Sequence, residues 1–163
     1  MGYLVMNRSD GGVSVRIGVE AADDFAGHVA HWESKPKQVA RGWTVASFAY
    51  SEADPRPDRE FRAGWEGDGG GGIQIPIAKA RVIARTHMTK LLREELALLD
   101  NRRTQAELEG DATLIGQIDA RKTSLQSVSI PQIRDSIVAA TSVAELKATR
   151  QDYLTSQPSL GPL

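Results

Sequence analysis

The three histidines are the side chains of this 163-residue chain best suited to proton chemistry near neutral pH. His28 and His31 are spaced i, i+3, so on a helix they share one face, close to Asp24 and Glu33. Two imidazoles one turn apart are an incomplete metal site, because zinc takes three or four protein ligands and no third is specified nearby. The pair therefore reads as surface or part-packed histidines beside Trp32, with a metal-dependent hydrolase as the rival. His87 stands next to Met88 in a long helical stretch, with no acid or nucleophile tied to it, and reads as a helix-surface histidine. The glycine tract Gly67 to Gly72, interrupted only by Asp68, invites comparison with a phosphate loop. That chemistry needs a Lys and a Ser/Thr at the start of the next helix, whereas here the chain continues Ile75-Pro76-Ile77-Ala78-Lys79. The tract is expected to be a flexible turn. The carboxylate pairs Asp23/Asp24 and Glu94/Glu95 are adjacent, so on a helix they point about 100° apart and cannot converge as acid and base. They are expected to be solvated, with Lys90 and Arg93 beside the second pair. With no cysteine and no Gly-x-Ser-x-Gly elbow, the chain is expected to be non-enzymatic and to need no cofactor or metal.

The elements that carry these residues change character near residue 75. All three tryptophans, all three phenylalanines and most of the glycines come before it. Gly2 to Asn7 and Gly12 to Val19 read as two strands, the second alternating Val13, Val15 and Ile17 with Ser14 and Arg16. Asp10-Gly11 between them suits a tight hairpin turn with both residues at positive φ. Asp23 to Glu33 reads as a short helix with the stripe Phe25, Val29, Trp32, ended by Lys35-Pro36. Gly42 to Tyr50 is a third strand, with Trp43, Val45 and Ser47 opposite Thr44, Ala46 and Phe48. Ile73 to Ile75 is a short strand beyond the glycine turn.

After Pro76 a long helix is expected to reach about Glu109, its apolar positions running from Ile77 through Ala80, Ala84, Met88, Leu91/Leu92 and Leu96 to Leu99. Gly110 breaks it, and Asp111 is a good N-cap for a second helix bearing Leu114, Ile118, Leu125 and Val128. Together they make an antiparallel αα-hairpin, which Pro131 is expected to end. Shorter helices follow over Ile133 to Ala139 and from Ser142 to about Tyr153, the latter with a Ser142-x-x-Glu145 capping box. The fold class is thus α+β: a small antiparallel β-rich domain with one short helix (1–75), a helical-hairpin region (76–155) and an extended tail (156–163).

The overall charge is −1, divided as −3 over residues 1–75 (8 basic, 11 acidic) and +2 over the rest (12 basic, 10 acidic). Neither half is polybasic, so nucleic acid is not the expected partner. No apolar run approaches the roughly 20 residues that span a bilayer, and Met1 to Asp10 lacks a secretory layout, so neither a membrane nor export is expected. What remains is interaction chemistry. Trp32, Trp43, Phe48, Tyr50, Phe61 and Trp65 crowd a small domain, and about two thirds of them are expected in its core and a third at an interface. The residues expected to bind a partner are Trp43, Arg59, Phe61, Arg62 and Trp65 in the front, and Met88 and Leu92 on the hairpin stripe.

One stretch resembles a known group. Asp58-Arg59-Glu60-Phe61-Arg62-Ala63-Gly64-Trp65, a turn, and then Ile73-Gln74-Ile75 with Lys79-Ala80-Arg81-Val82-Ile83 is similar to small bacteriophage and prophage proteins encoded among tail-tip and tail-fibre genes. Those carry D-R-x-F-R-x-x-W before a short strand and a K-A-R-x-I helix start. The likeness extends over roughly residues 47–147, through Glu109-Gly110-Asp111 to Thr141-Ser142-Val143-Ala144-Glu145. This chain departs at Gly64, where that pattern has Asn nearby, and in its longer glycine turn. The resemblance implies a minor structural component of the virion tail that binds a fibre, tail-tip or baseplate protein, with a homo-oligomer within the virion as a further expectation. Its alternatives are a fibre-assembly chaperone confined to the host cytoplasm and absent from the virion, a capsid-decorating protein, and a regulatory protein binding a host protein or nucleic acid.

Overall fold

The computed structural model describes residues 2–52, 55–68 and 72–156. The protein is α+β and divides into two compact units, Met1–Lys79 and Ala80–Leu163.

The front unit is built on strand β1 (Gly2–Arg8), the middle of an antiparallel three-stranded sheet in the order β2-β1-β3, with β2 over Val13–Val19 and β3 over Val45–Ser51. Leu4, Val5 and Met6 are consecutive and all buried, so β1 is apolar on both faces. Each such side chain is worth about 1.5–3 kcal/mol of burial. One face carries Leu4 and Met6, opposite Tyr50 and Phe48, and is covered by helix α1 (Phe25–Glu33). Phe25 stacks on Tyr50 with centroids 5.5 Å apart and meets Phe48 edge-on, while Trp32 joins the buried cluster with Leu4, Met6 and Val19. The opposite face carries Tyr3, Val5 and Asn7 and is covered by the segment after β3. There Arg56 lies over the Tyr3 ring, Gly67 abuts Asn7, and a 3₁₀ helix over Arg59–Gly64 buries Phe61.

Local detail departs from simple alternation at three places. The β1–β2 loop has only Gly11 at positive φ, with the Gly11 N–H donating to the Arg8 carbonyl, so it is a three-residue turn and Asp10 does not adopt positive φ. Register shifts occur opposite Gly2/Tyr3, where Gly18 is the extra residue, and opposite Asn7/Arg8, where Ala46 is. Each bulge carries the next residue across the sheet. Val19 and Val45 thereby join the α1-covered face, which corrects the expected grouping of Val45 with Ser47 against Phe48. The third strand begins at Val45 rather than at Gly42, and Pro36 opens a further short helix, α2 (Pro36–Ala40). Helix α1 itself starts at Phe25. Asp24 is its N-cap, accepting from the Gly27 N–H at 2.9 Å, and Asp23 lies outside the helix. The two-residue strands β4 (Glu66–Gly67) and β5 (Ile73–Gln74) pair across the glycine tract, and Asp68 closes the tip by accepting from the Gly72 N–H. The centre of that tract lies outside the described residues.

In the second unit, helix α3 (Ile77–Glu109) buries Ala80, Ala84, Met88, Leu92, Leu99 and Ala106 along one stripe. Gly110 at φ +71° turns the chain, and Asp111 caps α4 (Ala112–Ser124) by accepting from the Leu114 N–H. Arg103–Asp119, Lys122–Asp100 and Arg121–Glu95 run across the pair in antiparallel order, as a helical hairpin requires. Pro131 does not end it. A π turn over Leu125–Ser129 leads directly into α5 (Ile130–Ala139), so helix continues through the proline. Proline removes one backbone donor and crowds the carbonyl four residues back, and the wider π turn accommodates both. The inserted residue also resets the buried face: Ile118 and Leu125 are followed by Ile133 and Ile137, leaving Val128 exposed, contrary to the expected stripe. Arg81 donates from both Nε and Nη2 to the Ala140 carbonyl at the end of α5. Helix α6 (Val143–Ser156) opens with Ser142 accepting from the Glu145 N–H and Glu145 reaching back to the Thr141 N–H. Ser156, expected in the tail, closes this helix, and the rest of the tail lies outside the described residues.

The expected solvated pair Glu94/Glu95 divides into one exposed and one largely buried carboxylate. Glu94 is exposed beside Lys90 as expected, but Glu95 is only 12% exposed. It accepts from Arg121 Nε and Nη2 at 2.9 and 2.7 Å and is hydrogen-bonded by the buried Tyr153 hydroxyl, joining α3, α4 and α6 at one carboxylate. Replacing Glu95 by Ala strands a largely desolvated guanidinium and is expected to destabilise this unit by about 3 kcal/mol in urea unfolding. Gly110→Ala meets no neighbouring atom, so its expected loss of about 1 kcal/mol is purely the cost of a left-handed backbone at a side-chain-bearing residue.

Candidate functional site

The sheet's edge strand β2 presents Ser14 and Arg16 on the α1 side and Val13, Val15 and Ile17 on the other. Helix α1 covers the sheet above β1 and β3 and meets β2 only at Val19, leaving Ser14 and Arg16 open. A pocket of about 480 Å³ opens there, floored by Met6, Ser14 and Arg16 and walled by Trp32, Trp43 and Gln38. Lys35 and Lys37, placed by the α1–α2 corner, and Arg8, at the end of β1, bring further cations to it. On the other face Val13, Val15 and Ile17 form the apolar floor of a second pocket of about 380 Å³, rimmed by Arg56, Arg59, Arg62 and Trp65. Arg62 belongs to both, wrapping the rim of the strand.

The eighth cation of residues 1–75, Arg41, lies 4.5 Å from the Trp43 ring centroid, and Arg8 lies 4.1 Å from the same ring. Every Lys and Arg of residues 1–75 therefore lines one of the two pockets or stacks at Trp43. Of the carboxylates among the described residues, none lines either pocket. Asp10 pairs with Arg8 at 2.9 Å, and that hydrogen bond holds its carboxyl below the usual range. Arg16, Lys35 and Lys37 have no ion-pair partner among the described residues. A unit of net negative charge thus concentrates its positive charge around one strand.

The histidines do not assemble a reaction centre. His28 Nε2 lies 3.4 Å from Asp23, whose carboxyl is held low first by the Glu20 N–H and then by His28. Glu33, which sequence places near the histidines, instead accepts from the Val45 N–H at 2.6 Å. His31 lines the first pocket. Among the described residues no three potential ligands gather as a metal site.

Of the residues expected to meet a partner, Trp43, Arg59, Arg62 and Trp65 converge on the two pockets around β2. Phe61 is 1% exposed and belongs to the core. Met88 and Leu92 are buried and floor a separate apolar groove of about 380 Å³ on the second unit, with Ile133, Ile137 and the exposed Val138. Arg16, Lys35, Lys37 and Gln38 were not singled out by sequence. The only available signal was the alternation that puts Arg16 on the face opposite Val15; the two lysines reach the pocket through a helix that composition does not announce.

Trp32 and Trp65 are largely buried and Trp43 is half exposed amid cations. Iodide is therefore expected to quench tryptophan emission more strongly than caesium at equal ionic strength, and Trp43→Phe should abolish the difference. Equal quenching by the two ions would contradict the charge distribution around Trp43. No known protein family, characterised protein or solved structure matches this chain.

Proposed function

We propose that the protein is a non-catalytic binding component of a bacteriophage tail, attaching to a fibre, tail-tip or baseplate protein and remaining in the virion. The observation that carries the binding part of this reading is the convergence of Trp43, Arg59, Arg62 and Trp65 with the other cations of residues 1–75 around one edge strand. Aromatic and arginine side chains grouped about a concave apolar floor are the usual anchors of protein interfaces. The tail assignment rests on the resemblance of the segments around Arg59–Trp65 and Lys79–Ile83 to tail-associated phage proteins.

Quantitative mass spectrometry of gradient-purified virions, with tails and capsids separated, tests it. Stoichiometric recovery with tails is the expected result, and the copy number gives the symmetry of attachment. Recovery from infected cells with a fibre protein but not from virions would identify an assembly chaperone instead. Recovery with capsids, or with neither fraction, would refute the tail assignment.

A further inference from the structure

The two pockets share one feature that lies between them, the outer edge of β2. This strand is seven residues long and pairs only with β1 among the described residues, so its outward N–H and C=O groups have no partner strand. Such an edge either is guarded or receives another strand. Its flanks are suited to receiving one. A strand laid along β2 would send alternate side chains to the two faces of the sheet. On one face they would meet Arg16, Lys35 and Lys37; on the other, Arg59 and Arg62 over the apolar floor of Val13, Val15 and Ile17.

We infer that β2 is the docking edge for an extended acidic segment of the partner protein, added as a fourth antiparallel or parallel strand with its carboxylates in the two cationic pockets. The inference rests on the protein-binding reading above and specifies how that partner is held. Charge on both sides of the strand selects carboxylate side chains that alternate faces, which a compact phosphate in one pocket would not use. A long nucleic acid would meet the net negative charge of the rest of the unit (8 basic against 11 acidic over residues 1–75). Within the first pocket the Gln38 Oε1 is buried without a hydrogen-bond partner, and that amide can turn its N–H₂ toward a carboxylate.

The test uses the full ¹⁵N-labelled chain and a synthetic ten-residue peptide of repeating Glu-Glu-Val-Val, whose consecutive carboxylates reach both faces of the sheet. The expected result is saturable shift changes and slowed amide exchange confined to Val13–Val19 and the pocket residues, declining as salt is raised. Arg16→Glu on one face and Arg59→Glu on the other should each weaken binding about tenfold or more, with Lys90→Glu on the second unit neutral. A peptide of the same charge, N-methylated at every backbone nitrogen, leaves the protein untouched and removes the donors from both edges of the added strand, so it should not bind. Four outcomes overturn the inference: no binding at about 1 mM peptide, equal binding of the N-methylated peptide, equal binding of a Lys-Val peptide, or preferential binding of pyrophosphate or an oligothymidylate at the same residues. None of these alters whether the chain is recovered with tails, so failure of the docking mode and failure of the tail assignment are separable.

Discussion

A three-stranded sheet whose central strand is apolar on both sides has to be covered twice, and the architecture of the front unit follows from that constraint. Leu4 and Met6 require a helix on one side; Val5 requires something on the other. A helix of nine residues is wide enough for two strands, and β3, with Phe48 and Tyr50, takes the second place beneath it. The segment from Arg56 to Gly67 supplies the other cover without forming a regular layer, which is why a 3₁₀ turn and a two-residue strand pair suffice there. β2 is left at the margin of both layers. The cations collected along that margin are consistent with how edge strands are kept from pairing indiscriminately, since a neutral apolar strand would desolvate them without compensation and another copy of the same edge would be repelled.

The second unit is organised by a different kind of interaction. Half of the buried stripe of α3 is alanine, which allows close helix approach but specifies register weakly. The Glu95–Arg121–Tyr153 junction supplies what the stripe lacks, since Arg121 donating twice to Oε1 while Tyr153 holds Oε2 is satisfied at one axial position of the helices and no other. Arg103–Asp119 and Lys122–Asp100, more exposed, follow the same register and add little energy of their own.

Much of the fold was legible in the residues. The hairpin of β1 and β2, the Phe25/Val29/Trp32 stripe, the long helix to Glu109, the Gly110–Asp111 turn and the Ser142/Glu145 cap all follow from local chemistry acting alone. What was not legible depended on partners distant in sequence. Bulges at Gly18 and Ala46 appear only when the strands are aligned against β1, and Glu95 differs from Glu94 only through Arg121 and Tyr153, more than twenty residues away. The candidate site divides in the same way. Arg59, Arg62 and Trp65 stand out in one short segment, whereas Arg16, Lys35 and Lys37 become neighbours through the α1–α2 corner, which periodicity does not reveal.

The π turn at Leu125–Ser129 and Pro131 constrain one another across time as well as space. Deleting one residue from the turn would restore regular winding and keep Leu125 in step with Ile133, but it would bring the proline ring against a carbonyl it now avoids. Replacing Pro131 first removes that obstacle and leaves the extra residue without a function. The two changes are therefore epistatic, and a lineage altering this helix has a preferred order: the proline is lost before the chain is shortened. Related chains are accordingly expected to carry both features, or the wide turn alone, or neither, with a proline in an unbroken helix the missing combination.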